Sequence, residues 1–322
     1  MNYNVLILSA GRRVELVKRF RRAAEELKIK SKIIGVDISN LAPALYFCDE
    51  MEIIPRISDD NYIKVLLDIC KRNEIKLIIP TIDTELLKLA ENADLFKKNN
   101  IALNLSSVDV ISICRNKKNT QKWLEDNGFN APKMLSETDL VNNNYDFPLF
   151  IKPLDGSSSI NAFKINNKKE LDFFKDYVPN PIIQEMVFGD EYTIDAFCDF
   201  NGKIITIVPR ERIAVRSGEI SKGRIVKDRV IIDEIKKLLL KLKPIGHITI
   251  QCIKSSNNIV NILEINPRFG GGAPMSIDVG ADSPKNLYKL LMGETLDYNE
   301  DYDDNVYFSR FDDSIMIDLK ND

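Results

Sequence analysis

The sequence predicts an α/β protein that begins with a doubly wound parallel sheet and continues into units with antiparallel strands. In the first part of the chain, short apolar runs alternate with longer amphipathic runs. This order is typical of a parallel sheet covered by helices on both faces. From Glu191 onwards, long β-like runs dominate instead. A chain of 322 residues is long enough for two or three packed units of this kind.

The first predicted unit covers residues 1–112. Its five apolar runs, each of a strand's length, are Val5–Leu8, Lys32–Val36, Glu52–Ile54, Leu77–Ile79 and Ile101–Leu105. The stretch from Val14 to Leu27 repeats apolar side chains at spacings of three and four and places charged side chains between them. That periodicity predicts a helix with one buried face.

A small α+β unit is predicted over residues 113–187, followed by a C-terminal α+β unit with an antiparallel sheet over 188–322. In the small unit we expect helices at Lys117–Asn127 and Lys168–Tyr177 and strands at Leu149–Lys152, Ala162–Ile165 and Ile182–Glu185. In the C-terminal unit we expect strands at Tyr192–Phe197, Lys203–Val208, His247–Ile253 and Ile259–Ile265 and helices at about Asp233–Leu242 and Pro284–Met292.

Charge and composition narrow the function classes. Lysine and arginine number 45 against 48 aspartate and glutamate residues, and the net charge is −3 without a long basic block. We therefore expect no nucleic-acid partner. No apolar segment is long enough for a signal peptide or a membrane span, so no membrane association is expected. The five cysteines are scattered and never form a C-x-x-C pair, which indicates reduced thiols in the cytoplasm.

A candidate cation site involves Gln251, Glu264 and Asn266. The first two are 13 residues apart on predicted neighbouring antiparallel strands and could face each other across the ladder. Glu264 and Asn266 are two apart and project from the same strand face. Three oxygen-bearing side chains on one surface suit Mg²⁺, which keeps other positions for water and phosphate. Arg268 follows, where it could meet an anionic substrate.

A second candidate is the segment around Lys152. This lysine ends an apolar strand and is followed at once by the loop Asp155-Gly156-Ser157-Ser158-Ser159. The pattern places an ammonium group beside backbone and hydroxyl donors, which can close over phosphates. A Walker A sequence is absent. Taken alone, a Gly/Ser segment is more often a simple turn.

A third candidate runs from Gln184 to Glu191. The end of an extended apolar strand could pair with the edge of an adenine base, and Glu191 could accept ribose hydroxyls. Taken alone, these residues are better explained as a strand, a turn at Gly189-Asp190 and a solvated glutamate.

Taken together and in this order, these residues resemble the ATP-grasp superfamily, and more narrowly its branch similar to the carbamoyl-phosphate synthase large subunit. The resemblance spans about residues 113–293 and includes Lys117, which opens a helix at the entry to the small unit. The first unit looks like the domain that precedes ATP-grasp modules. The resemblance implies an ATP-grasp fold in which residues 113–187 bear a lid and residues 188–322 bear the metal and catalytic site.

The resemblance also implies roles for individual residues. The residues implied in nucleotide binding are Lys117, Lys152, Ser158, Ser159, Gln184, Glu185, Val187 and Glu191. Lys117 is preferred to its neighbour Lys118. The ligands of Mg²⁺ or Mn²⁺ would be Gln251, Glu264 and Asn266. Cations at the reacting groups would be Arg268, Arg210, Arg212 and Lys222. One departure is Ser159-Ile160-Asn161, where relatives commonly have a glycine, and this puts the phosphate contacts of the loop in doubt.

The activity implied is that of an ATP-dependent carboxylate–amine ligase, which forms an acyl phosphate and transfers the acyl group to an amine. Two alternatives remain open, namely phosphorylation of bicarbonate or carbamate, as in carbamoyl-phosphate synthases, and a non-catalytic ATP-binding module. The partners expected are therefore small carboxylates and amines, and both a monomer and a homodimer remain open. Neither substrate can be identified from the sequence, although Asp83, Glu85 and Gly271 are candidate contacts. Asp83 and Glu85 could bind an ammonium group or cap a helix.

Two further residues invite a functional interpretation. Asp37 follows the second strand, as the acidic residue of a dinucleotide-binding unit would. The preceding segment Ser9-Ala10-Gly11-Arg12-Arg13 has one glycine where that fingerprint needs three, so a turn residue or an interface contact is the better interpretation. His247 lies in an apolar run, which favours a packed, hydrogen-bonded histidine over a general base.

Overall fold

A computed structural model describes residues 2–155, 160–216 and 218–318. The N-terminal unit contains strands β1 (Asn4–Ile7), β2 (Ile33–Asp37), β3 (Glu50–Ile53), β4 (Ile75–Ile79) and β5 (Ala102–Leu103). Its helices are α1 (Val14–Glu26), α2 (Tyr62–Arg72), α3 (Asp83–Glu91), α4 (Ala93–Lys98) and α5 (Val108–Arg115), with a 3₁₀ turn at Pro43–Phe47. The predicted parallel α/β unit is thereby confirmed.

The strands of this unit form one parallel sheet in the order β3-β2-β1-β4-β5. Alternate side chains of β1 enter two different cores, because successive residues of a strand point to opposite faces. Val5 and Ile7 pack beside α1, whereas Leu6 packs with residues of α2 and α3. The order reverses between β1 and β4, and such a reversal opens a crevice at the carboxyl ends of the strands.

The small unit consists of a three-stranded antiparallel sheet with short helices. Its elements are α6 (Lys117–Asp126), α7 (Glu137–Val141), β6 (Leu149–Pro153), β7 (Phe163–Ile165), α8 (Lys168–Tyr177) and β8 (Pro181–Glu185). The strand order is β7-β6-β8. The predicted boundary at 112/113 falls inside α5, and the one at 187/188 falls between β8 and the next strand.

The C-terminal unit is a six-stranded antiparallel sheet in the order β13-β12-β9-β10-β11-β14. Its elements are β9 (Asp190–Cys198), β10 (Ile204–Arg216), β11 (Glu219–Ile225), α9 (Arg229–Leu242), β12 (Gly246–Lys254), β13 (Val260–Asn266), α10 (Ala273–Asp278), α11 (Ser283–Leu291) and β14 (Tyr307–Ser309). The predicted strands and helices of this unit are present. Strands β11 and β14 were not predicted.

An apolar core joins the N-terminal and C-terminal units. Phe20 of α1 makes edge-on ring contacts with Phe269 and Tyr288, at centroid distances of 6.1 and 6.0 Å. All three rings are fully buried. Burial of aromatic surface stabilises such contacts, so the first sheet has a fixed position against the C-terminal sheet. None of the helices formed by the described residues combines the length and apolar character needed to cross a bilayer.

Candidate active site

A cavity of about 560 Å³ lies where the three units meet. The N-terminal unit contributes Arg13, the start of α3 and the end of α5. The small unit contributes α6, β6 and β8, and the C-terminal unit contributes β9–β13 and the glycines that follow. The sequence-predicted residues that line it are Asp83, Lys117, Lys152, Gln184, Arg210, Arg212, Gln251, Glu264, Asn266, Arg268 and Gly271. Most of the predicted site is therefore assembled in one place.

The three candidate metal ligands share one wall of the cavity. Gln251 of β12 lies directly opposite Glu264 of β13, which confirms the predicted register, and Asn266 lies two residues further along β13. Among the described residues, no group of three or more histidine, cysteine, aspartate or glutamate side chains converges as a metal cage. One carboxylate and two amides leave most positions to other oxygens, and this donor set fits Mg²⁺ held jointly with phosphate and water.

Two lysine ammonium groups lie near Glu264. Burial lowers the pKa of Lys152 to about 8, against the opposing effect of Glu264 and with a further lowering from Lys117. Burial also lowers the pKa of Lys117, whose Nζ donates to the carbonyl oxygen of Leu154 at 2.8 Å. Lys118 is exposed. Desolvated cations in a cleft attract anions strongly, so this end of the cavity suits phosphates.

The adenine and ribose candidates lie around β8 and β9. Gln184 is buried and lines the cavity, whereas Glu185 and Val187 do not line it. The backbone N–H of Glu185 donates to the carbonyl oxygen of Lys133 at 2.9 Å, so this donor is not free for a base. The carboxylate of Glu191 lies 2.9 Å from Nε of Arg212, which does line the cavity. Ser158 and Ser159 lie outside the described residues.

Arg210 is buried beneath the glycine segment 270–272. Its Nε donates to Oδ2 of Asp195 at 2.7 Å, and both side chains are at most 2% exposed. A Cβ on Gly272 would lie 2.5 Å from Nη1 of Arg210, so the close approach of backbone and guanidinium requires glycine. The buried ion pair therefore supports the floor of the cavity.

Arg268 extends from the end of β13 towards the N-terminal unit. Its Nη2 pairs with Oδ2 of Asp83 at 2.6 Å, and its Nε is buried without a hydrogen-bond partner among the described residues. A buried donor without an acceptor is costly. The orphaned N–H thus marks a place where a ligand oxygen would fit. Asp83 is thereby an anchor of Arg268 in this structure.

Besides Glu185, Val187 and Glu191, two predicted residues do not line the cavity, namely Lys222 and Glu85. Lys222 is exposed on β11, where it pairs in register with Ala214 and Ser309 at the far part of the hairpin. Glu85 is 2% exposed and receives hydrogen bonds from the hydroxyls of Ser9 and Tyr62 instead. Burial raises the pKa of Glu85 to about 7. Neither position supports the predicted substrate contact.

The structure also tests the functional interpretations of Asp37 and His247. Oδ2 of Asp37 accepts a hydrogen bond from the backbone N–H of Gly11 at 2.9 Å, as a turn residue would. His247 is 1% exposed, its Nδ1 lies 3.0 Å from Oγ of Ser283, and its ring stacks on Phe269. The packed interpretation of His247 is confirmed.

Sequence reasoning missed Arg13, Glu219 and Thr193, which also line the cavity. Arg13 lies between the end of β1 and the start of α1. Its position after a predicted strand in a doubly wound unit was the available signal, because ligands bind at the carboxyl ends of such strands. Glu219 carried no signal, since the strand that positions it was not predicted.

Comparison with known families agrees with the fold. The model of an ATP-grasp domain matches residues 114–272, and the model of a PylC-like N-terminal domain matches residues 5–104. The chain belongs to the ATP-grasp superfamily. The two matches meet within a few residues of α5, and the ATP-grasp match contains the metal, lysine and arginine candidates described above.

Two curated relatives of this ATP-grasp protein are D-alanine–D-alanine ligases. The ligase B of Clostridium perfringens is 22% identical over 53% of this chain and 63% of its own length. The ligase of Fusobacterium nucleatum is 29% identical over 33% of this chain and 36% of its own length. The matches thus span less than two thirds of either relative.

Solved structures share the fold across nearly the whole chain. The N5-carboxyaminoimidazole synthetase of Staphylococcus aureus, complexed with ADP, has a TM-score of 0.72 at 18% identity and covers 92% of this chain and 80% of its own. The L-amino acid ligase of Bacillus licheniformis has a TM-score of 0.68 at 18% identity and covers 90% of this chain and 74% of its own. At this level of identity the likeness establishes the fold.

Proposed function

We propose that this protein is an ADP-forming ligase that joins a carboxylate to an amine at the expense of ATP. The observation that carries the proposal is the content of one cavity. A hard-cation donor set, two desolvated lysines and an arginine with an unsatisfied N–H lie together there. Phosphoryl transfer to a carboxylate needs these groups, because catalysis of that step depends on positioning and charge neutralisation.

Each part of the cavity has an assignable task. Gln251, Glu264 and Asn266 would hold Mg²⁺ or Mn²⁺, which when bound supplies positive charge beside the phosphate oxygens. Lys117 and Lys152 would bind the phosphates. The carboxylate of Glu191, oriented by Arg212, would accept the ribose hydroxyls, and Ser158 and Ser159 would contribute hydroxyl donors to the nucleotide.

The reaction then needs no protein nucleophile. A carboxylate oxygen of the substrate forms a bond to the γ-phosphorus while the bond to the ADP oxygen breaks. Arg268, at the end of β13, would neutralise the phosphoryl group in transit. An amine attacks the resulting acyl phosphate, phosphate leaves, and the amine loses a proton. Closure of the small unit, residues 113–187, would keep water from the acyl phosphate.

The names of the relatives support the substrate class. The D-alanine–D-alanine ligases and the L-amino acid ligase act on amino acids by name, which supports an amino acid as one substrate. The narrower relation to carbamoyl-phosphate synthases remains part of the proposal, and bicarbonate is its test substrate. The five cysteines are all free in the structure, which supports the cytoplasm as the location. One similar structure, the biotin carboxylase domain of Hydrogenobacter thermophilus, is described as a dimer, which supports a homodimer as one assembly to test.

The test is substrate-stimulated release of ADP and phosphate. Purified protein is incubated with Mg-ATP and with pooled amino acids, pooled organic acids plus amines, or bicarbonate. At least one pool should raise ADP release, and Lys152→Ala and Glu264→Gln should abolish the increase. The matched controls Lys164→Ala and Glu294→Gln change exposed residues outside the cavity and should retain it.

The alternatives give different results. Stimulation by bicarbonate alone would replace the amide ligase with a carbamoyl-phosphate type of chemistry. Tight ATP binding without stimulation by any pool would indicate a non-catalytic module. Equal activity of Lys152→Ala and Lys164→Ala would contradict the site assignment.

A further inference from the structure

Among the described residues, five arginines line the cavity. Three of them pair with a carboxylate, and a fourth is exposed to solvent. Arg210 pairs with Asp195, Arg212 with Glu191 and Arg268 with Asp83. Arg115 is exposed to solvent. The fifth is Arg13.

Arg13 differs from the other four. It is half-buried, and no carboxylate of the described residues lies within 4.0 Å of its guanidinium group. Its side chain makes one long hydrogen bond, from Nη2 to the carbonyl oxygen of Thr81 at 3.4 Å. Burial and the neighbouring Arg268 lower the pKa of Arg13 to about 10. A cation desolvated beside another cation destabilises the protein unless an anion neutralises it.

Arg13 comes from a different unit of the protein than Lys117 and Lys152, the two lysines assigned to the phosphates. The charges that act on Arg13 are Arg268, Glu219, Arg310 and Asp83. Those that act on Lys152 are Glu264 and Lys117. Arg13 belongs to the N-terminal unit, whereas Lys117 and Lys152 belong to the small unit, and we call these two parts of the cavity the substrate end and the nucleotide end.

The substrate end has a surplus of positive charge. Its two carboxylates are already paired, Asp83 with Arg268 and Glu219 with Arg310 at 2.8 Å. A Cβ on Gly271 would lie 2.9 Å from the carboxyl carbon of Glu219, so a larger residue there would displace the Glu219 side chain. Arg13 is left as the unneutralised guanidinium group of this end.

We propose that Arg13 binds an oxyanion of the substrate other than the carboxylate that becomes phosphorylated. The proposal rests on the proposed function and narrows its substrate class. One of the two substrates would carry an additional carboxylate, such as the α-carboxylate of an amino acid, or a phosphate ester. A planar guanidinium group matches both, because it offers paired donors to two oxygens.

The test compares Arg13→Gln with Arg12→Gln. Arg12 is the exposed neighbour and does not line the cavity, so its variant is the matched control. The substrates are matched pairs, an amino acid with its α-amide and a sugar phosphate with its free sugar. Wild type and Arg12→Gln should prefer the anionic member of one pair, and that pair identifies the source of the oxyanion. Arg13→Gln should raise the KM of that member about 10- to 100-fold and leave the KM of ATP unchanged, as expected for a lost charged hydrogen bond.

Two further readouts separate binding from a structural role. Without ligand, Arg13→Gln should be at least as stable to heat as wild type, because it removes repulsion from Arg268 and one long hydrogen bond. With saturating Mg²⁺ and a non-hydrolysable ATP analogue, inorganic phosphate should raise the melting temperature of wild type and Arg12→Gln but not that of Arg13→Gln.

The outcomes distinguish this inference from the proposed function. If ADP release needs a substrate but Arg13→Gln retains the preference for the anionic member, Arg13 has another role while the ligase assignment stands. If no compound stimulates ADP release, the ligase assignment fails, and the phosphate shift alone decides for or against the oxyanion site. A destabilised Arg13→Gln protein with an unchanged phosphate shift would overturn the inference.

Discussion

Replacement of Asp195 by asparagine tests how the floor of the cavity is held. Oδ2 of Asp195 accepts hydrogen bonds from Nε of Arg210 at 2.7 Å and from Oγ of Ser276 at 2.5 Å. Its Oδ1 accepts from Nη2 of Arg210 at 3.3 Å and from Oγ1 of Thr249 at 3.4 Å. The asparagine keeps the shape of the side chain and removes its charge.

The expected cost follows from burial. Both partners are at most 2% exposed, so Asp195→Asn leaves a buried guanidinium group without a counter-charge. Breaking a buried pair in this way typically lowers the free energy of unfolding by about 3–5 kcal/mol. Removing one partner of a partly exposed surface pair, such as Arg229–Glu300, typically costs at most about 1 kcal/mol.

Urea unfolding at neutral pH measures the loss in free energy of unfolding for the buried pair and for the surface pair. Glu300→Gln is the control, and Arg210→Met completes a double-mutant cycle with Asp195→Asn. We expect the double variant to lose about 1–3 kcal/mol less free energy of unfolding than the two single variants lose together, because the two residues form one network. A loss below about 1 kcal/mol for Asp195→Asn, or strictly additive losses, would refute the reasoning. ADP release by folded Arg210→Met then shows whether Arg210 also contacts substrate, as the family resemblance implies.

Three other predictions concern buried or constrained positions. Burial lowers the pKa of Lys152 to about 8, so the unfolded chain binds more protons between that value and 10.5 and stability rises with pH across this window. Lys152→Met should remove this slope and stabilise the ligand-free protein at neutral pH by up to about 3 kcal/mol. Urea unfolding at several pH values is the measurement, and a slope that the variant retains would contradict the reasoning. Burial raises the pKa of Glu85 from 4.5 to about 7, so stability falls as pH rises through that range, and Glu85→Gln should abolish the fall, which thermal unfolding across the range would detect. Gly246→Ala places a Cβ 2.3 Å from Oδ1 of Asn104 at a φ of +79° and should lower the free energy of unfolding by about 2 kcal/mol or more. The control Gly128→Ala has a φ of +77° and nothing within 4 Å of the added Cβ. Equal losses of the two variants in urea unfolding would contradict the clash.

The metal-ligand face was predictable because it depends on local spacing. Gln251 and Glu264 belong to two consecutive strands joined by a short turn, so they lie close together on the ladder. A register shift between Gln251 and Cys252 then places Gln251 directly opposite Glu264. Glu264 and Asn266 share a face because strand side chains alternate with a period of two. The structure confirms both relations.

Asp83 and Glu85 do not form the shared substrate contact that was one of their two interpretations, for an equally local reason. The two residues are two apart and both lie in the first turn of α3. Side chains two apart on a helix point to different sides, so Asp83 reaches Arg268 while Glu85 enters the core. The prediction failed because the helix begins immediately at Asp83.

Long-range pairing explains the other differences. Strand β11 contains charged residues and a glycine and forms by pairing with β10 and β14, the latter about 80 residues away in the chain. The positions of Lys222 and Glu219 depend on that pairing. The isolation of Arg13 becomes visible after every neighbouring carboxylate has been assigned to another partner, which no local pattern reveals.

The fate of the substrate's carboxylate oxygen tests the central claim most directly. A carboxylate found to stimulate ADP release is labelled with oxygen-18 and incubated with the protein, Mg-ATP and the amine. Mass spectrometry of the released phosphate should find one labelled oxygen derived from the carboxylate, since an acyl phosphate must pass it on when the amine attacks. Formation of ADP and product with unlabelled phosphate would contradict carboxylate activation by this protein.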